Sequence, residues 1–314
     1  MSKISPSEGD EQLLMFATDG FDEVKSTDSF SHETTTFNFG GNTFFATYWR
    51  PKQGGKPKGL VFLCHGYAEY ISPSYDEIAE ALAEMGFLVF GHDHVGHGRS
   101  SGQRVQVNSM ADYVQPLLAH VKKVQRENGG NVPTFVIGHS MGGLITVNAV
   151  LEGQEMFSGM VLMGPLIKMD PDIATPVKKV LAKVFQSLIP SFSLGELDHT
   201  AITRDEQVVK RVKEDHLGWH GGFRARHSHV LLEATDALAD GKLLHTIKIP
   251  ALIMQGGLDK LVLPAGASFC HENLGSEDKK LLEFPEAFHN LFVELEDVKN
   301  PVIKETCDWL IQHA

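Results

Sequence analysis

Three residues of this 314-residue chain, Ser140, Asp259 and His289, have the types and settings that acyl transfer requires. Ser140 lies in VIGHSMGGL, so Gly138-His139-Ser140-Met141-Gly142 reads G-x-S-x-G between two apolar runs. A strand before and a helix after is the context in which this motif presents a nucleophilic hydroxyl on a sharp turn. The hydroxyl is a weak nucleophile until an imidazole accepts its proton, and the chain holds 16 histidines. His139 is badly placed, because neighbours on a tight turn project apart while a base must reach hydrogen-bonding distance. Two strand tips further on supply better partners: LIMQGGLDKLV carries Asp259, and LLEFPEAFHNLF carries His289. They follow the serine in the order acid, histidine that this kind of elbow uses. His289 would take and return the proton, and Asp259 would orient the imidazole and stabilise the imidazolium. The oxyanion donors expected are the backbone N–H groups of Met141 and of Tyr67 in CHGYAEY.

A second stretch, GHDHVGHGRS at residues 91–100, crowds three histidines around an aspartate. Its spacing matches no zinc pattern and no second ligand cluster follows, so it reads as a tight structural loop. A metal site is not expected there. A net charge of -12 argues against a nucleic-acid partner, which would need a basic surface. Cys64, Cys270 and Cys307 are an odd set without metal-like spacing, which reads as buried thiols in a reducing compartment. The polar first residues hold no apolar leader core and no stretch reaches membrane-span length. Together these features lead to an expectation of a cytoplasmic protein.

The elements that must position the three residues are legible as an alternation. TTTFNFGGNTFFATYWR reads as a hairpin turning at Gly40-Gly41, and GLVFLCHG, FLVFGHD, TFVIGHS, GMVLMGP and IPALIMQGG read as buried strands. Helical periodicity runs through YDEIAEALAEMG, MADYVQPLLAHVKKVQRENGG, MGGLITVNAVLEG and PVIKETCDWLIQH. Strands alternating with helices predict an α/β architecture, a mostly parallel sheet covered on both faces. The domain reading is a flexible segment over 1–33, a core over 34–165 and 246–314, and an inserted cap over 166–245.

His65-Gly66, GHDHVGHGRSSG, GHSMGG, MVLMGPL, Asp259 and His289 together resemble the monoacylglycerol lipases of the α/β-hydrolase superfamily, over residues from about 34 to the C-terminus. The resemblance implies that fold with a helical cap over an apolar acyl tunnel. It also implies hydrolysis of long-chain glycerol monoesters by a serine triad without a cofactor. Two positions depart from the family pattern. Tyr70 follows Glu69 where the family has histidine, in a loop lacking its arginine, and Phe292 stands three residues past His289 where the family often has a second histidine. Glu69 matches, so Glu69, Tyr70 and Phe292 are the expected head-group contacts, and weaker discrimination of glycerol is the consequence. Other readings stay open: a lysophospholipase or broad carboxylesterase, and a non-catalytic ligand-binding protein on the same fold. A dehalogenase is disfavoured, since it needs a carboxylate at position 140.

Within the insertion, TPVKKVLAKVFQSLIP predicts a lid helix with Thr175 as N-cap, Pro176 in its first turn and Pro190 as its stop. Val184 and Phe185 share its apolar face and are expected to touch the acyl chain. Lysines flank that face, a pattern consistent both with peripheral docking on lipid surfaces and with an ordinary cap helix. The oligomeric state is left open.

Overall fold

In the computed structural model the described residues are 15–16, 22–52, 54–169, 183, 185, 187 and 189–314. Their strands form one ten-stranded sheet. The first four, β1 (Met15–Phe16), β2 (Asp22–Ser26), β3 (Phe30–Phe39) and β4 (Asn42–Pro51), pair antiparallel. The β3–β4 turn falls at Gly40 and Gly41, both with positive φ, the conformation that tight hairpins demand. β1, β2 and the start of β3 fall within the segment 1–33. β2 reads DEVKS, with Val24 exposed; a charged edge strand buries no face and so shows no apolar alternation.

The next six strands, β5 (Leu60–Cys64), β6 (Leu88–His92), β7 (Thr134–His139), β8 (Gly159–Met163), β9 (Ala251–Gly256) and β10 (Lys279–Phe284), are parallel to one another. The spatial order runs β4-β6-β5-β7-β8-β9-β10. β5 therefore lies between β6 and β7, and the chain changes direction across it. Ligand sites in open α/β sheets form beyond the strand ends at such a reversal.

Helices cover both faces. Asp76–Glu84 and Glu296–His313 pack on one side through Ile78, Leu82, Val302 and Leu310; Ala111–Glu127 and Met141–Gly153 pack on the other through Leu117, Val121, Leu144 and Val147. The final helix starts at Glu296 rather than Pro301. Leu295 caps it, with Glu296 and Asp297 in the first turn, and Pro301 sits inside it. All three cysteines are free and buried.

Between β8 and β9 the chain leaves the sheet. Its described helices there are Glu206–Glu214, Ala225–Leu238 and Lys242–Thr246. Asp205 caps the first by accepting from the N–H groups of Gln207 and Val208. Of the expected lid helix, Thr175, Pro176 and Val184 lie outside the described residues; residues 183, 185 and 187 are helical.

Candidate active site

Register brings the site together. Cys64 pairs with Gly138 across β5 and β7, so the segment after Cys64 emerges beside the elbow. Phe284 pairs with Gly256 across β9 and β10, which sets the Asp259 and His289 loops next to each other.

Ser140 follows β7 and caps the next helix with φ 56° and ψ -120°, a left-handed conformation that a residue with a Cβ adopts at a cost. Its backbone is held on both sides. Ser140 N–H donates to Met163 O at 3.0 Å, and Ser140 O accepts from the N–H groups of Gly143 at 2.9 Å and Leu166 at 3.0 Å. The two motif glycines have steric reasons. A Cβ on Gly142 would lie 2.0 Å from Cys64 O, and one on Gly138 would lie 2.3 Å from Thr146 Oγ1. Close packing of the elbow helix against β5 leaves no room at Gly142, and the same helix closes over β7 at Gly138.

His289 Nδ1 lies 2.7 Å from Asp259 Oδ2. An ionised carboxylate only accepts, so Nδ1 carries the hydrogen and Nε2 of the neutral ring holds the free lone pair. Asp259 Oδ1 also accepts from the N–H groups of Leu261 at 2.8 Å and Val262 at 3.0 Å, and Oδ2 accepts from Gln255 Nε2 at 3.0 Å. Burial opposes ionisation of Asp259, but His289 and these N–H donors outweigh it and hold the carboxyl below its usual range. Gln255 was missed from the sequence; the signal was one polar residue in the buried run ALIMQG.

His139 packs beside the elbow. Its Nδ1–H donates to Glu69 Oε1 at 2.8 Å, and its ring lies 4.7 Å from that of His289. Burial lowers the pKa of this imidazole. Glu69 Oε1 also accepts from Gly66 N–H and from Tyr75 OH, each at 2.7 Å. The same carboxylate thus ties the loop after β5 to the elbow.

A cavity of about 430 Å³ opens over Ser140 and His289. Tyr67, Glu69, Tyr70 and Met141 line it from the core, while Leu194, Trp219, Phe223, Leu231 and Leu232 line it from the cap. Two expected contacts lie elsewhere. Phe292 is buried in the layer beneath, 6.1 Å from the ring of Tyr75, because Asn290 caps a short turn over Leu291–Val293 that directs Phe292 inward. Phe185 packs on Phe192, with ring centroids 4.8 Å apart, and is outside the cavity lining. Asn290 and Val293 line the cavity instead.

The histidine-rich loop stands behind this site. His65, His92, His94, His97, His120 and His227 are all buried. Their contacts are mutual and local: His94 N–H donates to His65 Nε2 at 2.9 Å, the Nδ1 atoms of His92 and His120 lie 3.0 Å apart, and His120 Nε2 lies 2.6 Å from Tyr48 OH. Among the described residues, no group of three or more His, Cys, Asp or Glu side chains has the geometry to hold a metal ion.

The family described as "Serine aminopeptidase, S33" matches residues 55–296. A monoglyceride lipase of Rattus norvegicus is 37% identical over 273 residues, covering 87% of this chain and 88% of that protein. The Homo sapiens monoglyceride lipase is 37% identical over 277 residues, covering 88% and 89%. Among solved structures, a soluble variant of the Saccharomyces cerevisiae monoglyceride lipase, in complex with a substrate analog, superposes with a TM-score of 0.81 at 26% identity, covering 93% of this chain and 97% of that one. With the sheet order, the strained serine and these likenesses in place, the chain belongs to the monoglyceride lipase family, and is an α/β-hydrolase enzyme of the serine hydrolase class.

Proposed function

We propose that the protein hydrolyses long-chain monoacylglycerols to fatty acid and glycerol through an acyl-enzyme on Ser140. The observation that carries this reading is the strained serine at the base of a cavity that His289 also lines, with His289 bonded to Asp259. Ser140 Oγ attacks the ester carbonyl as His289 Nε2 takes its proton, and the carbonyl oxygen becomes an oxyanion facing the Tyr67 and Met141 N–H groups. The tetrahedral intermediate collapses, His289 returns the proton to the departing glycerol oxygen, and the serine ester remains. Water then attacks with His289 again as base, releasing the acid and restoring Ser140. Apolar side chains from the cap, Leu194, Phe223, Leu231 and Leu232, suit an acyl chain.

Among the described residues no helix is long and apolar enough to cross a membrane. Ile189 and Phe192 are exposed on the cap at 53% and 43%, which supports an enzyme that touches lipid surfaces peripherally. The test of the function is a panel of monoacylglycerols, diacylglycerols, lysophospholipids and short p-nitrophenyl esters. The highest kcat/KM is expected on monoacylglycerol; a clear lead for lysophosphatidylcholine would make the enzyme a lysophospholipase.

A further inference from the structure

The two oxyanion donors of the proposed site are held very differently. Met141 N–H belongs to the first turn of a helix locked into the sheet. Tyr67 N–H belongs to a loop whose next residue, Ala68, has φ +66° without being glycine. Such a conformation persists only where surrounding contacts over-determine it. From beneath, Glu69 Oε1 accepts from Gly66 N–H. From above, the cap makes three further bonds. Trp219 N–H donates to Ala68 O at 2.9 Å, Tyr70 OH donates to Asp215 Oδ2 at 2.7 Å, and Tyr67 OH donates to Gly222 O at 2.6 Å.

The cap segment making these bonds is itself braced. Asp215 Oδ1 accepts from Leu217 N–H at 2.9 Å, Trp219 Nε1–H donates to Gly222 O at 2.7 Å, and His220 Nε2–H donates to Asp215 O at 2.7 Å. Arg104, which follows the histidine-rich loop, donates to Leu217 O and, at 2.9 Å, to Gly98 O. A cover that only excluded water would need none of these bonds to residues 67, 68 and 70. An oxyanion donor, by contrast, is effective only when fixed before the charge develops.

We propose that residues 215–222 of the cap form a strap that holds the Tyr67 N–H in place for the transition state, with Asp215 and Tyr70 as its side-chain positioning residues. The cap then takes part in catalysis as well as in binding the acyl chain. This inference rests on the ester hydrolysis proposed at Ser140, and its test separates the two.

Tyr70→Phe and Asp215→Ala, singly and together, should be assayed on p-nitrophenyl butyrate. Active sites are counted with a fluorophosphonate so that misfolded protein does not contribute. Each variant should lose roughly tenfold in kcat per titrated serine, with KM within about twofold of wild type, as expected for weakening one preorganised donor. The double variant should lose little more than Asp215→Ala alone, since that substitution already removes the bond that Tyr70→Phe removes. A trifluoromethyl ketone, whose adduct carries the oxyanion, should weaken in proportion to kcat, while the matching ether should bind as before. A kcat within about twofold of wild type, or a loss confined to KM, would overturn the strap while leaving the triad standing. A wild-type protein that labels with no fluorophosphonate and turns over no ester would overturn both.

Discussion

The floor and the roof of the cavity are built on opposite principles. The floor stands on β5, β7, β9 and β10, where hydrogen-bonded register delivers Ser140, Asp259 and His289 to one edge of the sheet. The roof, between β8 and β9, packs Val230, Leu231, Ala234 and Leu238 into the core, but reaches the loop over the site through individual bonds such as Tyr70 to Asp215 and Trp219 to Ala68. Register is cooperative, because displacing one residue means breaking a ladder. A loop bond can be lost alone. The nucleophile, acid and base therefore stand on the ladder, while the apolar cavity lining and the proposed strap stand on the loops above it.

The contrast would be broken most directly at the triad. Ser140→Ala and His289→Ala should each lower kcat by roughly 10⁶-fold, and the double variant should fall no further, as members of one catalytic unit do. Asp259→Asn should cost roughly 10⁴-fold, because an amide fails to fix the imidazole tautomer. Fluorophosphonate labelling checks the assignment: undiminished labelling of Ser140→Ala would place the nucleophile elsewhere.

Acid should destabilise the fold through the buried histidines of the floor and through His227 of the cap, which burial lowers to about 3. Burial, with repulsion from neighbouring cations, lowers His94 and His120 to about 3 and His97 to about 4, and His65 and His92 are held well below the ordinary value. The unfolded chain binds protons at these positions from about pH 6.5 downward while the folded chain does not. Stability is therefore fully present above that pH and declines as pH falls toward the folded values, by about 1.4 kcal/mol per pH unit for each histidine. Thermal melts between pH 7 and 4 should show a slope of several protons, and replacing His92 with phenylalanine should reduce it by about one. A flat Tm over this range would contradict the buried neutral histidines.

Gly142→Ala sharpens the comparison sterically. Its Cβ would meet Cys64 O at 2.0 Å, so β5 and the elbow helix would have to separate, at a cost of about 3 kcal/mol or more. The variant should melt well below wild type and label slowly. Substitution of exposed Phe192 in the cap should leave Tm nearly unchanged.

The smallest effect concerns the head group. Tyr70 OH is already bonded to Asp215 and Phe292 lies outside the cavity, so neither supplies an unpaired polar group that would penalise a simpler ester. For one acyl chain, glycerol should be preferred over methanol by less than roughly 10³-fold in kcat/KM, or ~4 kcal/mol. A larger ratio would show that other polar residues lining the cavity, Arg211 and Lys260 among them, had rebuilt the recognition.

What this sequence determines by itself is the material that repeats or is sterically unavoidable. Five-residue apolar runs such as LVFLC and GMVLM can only be buried strands between helices, and glycines at 138 and 142 around Ser140 mark the elbow. Chain order then singles out Asp259 and His289, because each follows directly from a strand end. Only the tertiary structure decides the rest. DEVKS joins the sheet as an edge with a single exposed valine and no alternation to announce it, Asn290 turns Phe292 away from the cavity, and Glu69 spends one oxygen on Gly66, Tyr75 and His139. Asp215, Trp219 and Gly222 meet residues 67–70 across some 150 positions of chain. Periodicity reports which face of an element is buried, since every residue on that face obeys the same solvent. A single hydrogen bond between two loops depends on where both backbones finally lie, and no local pattern encodes that.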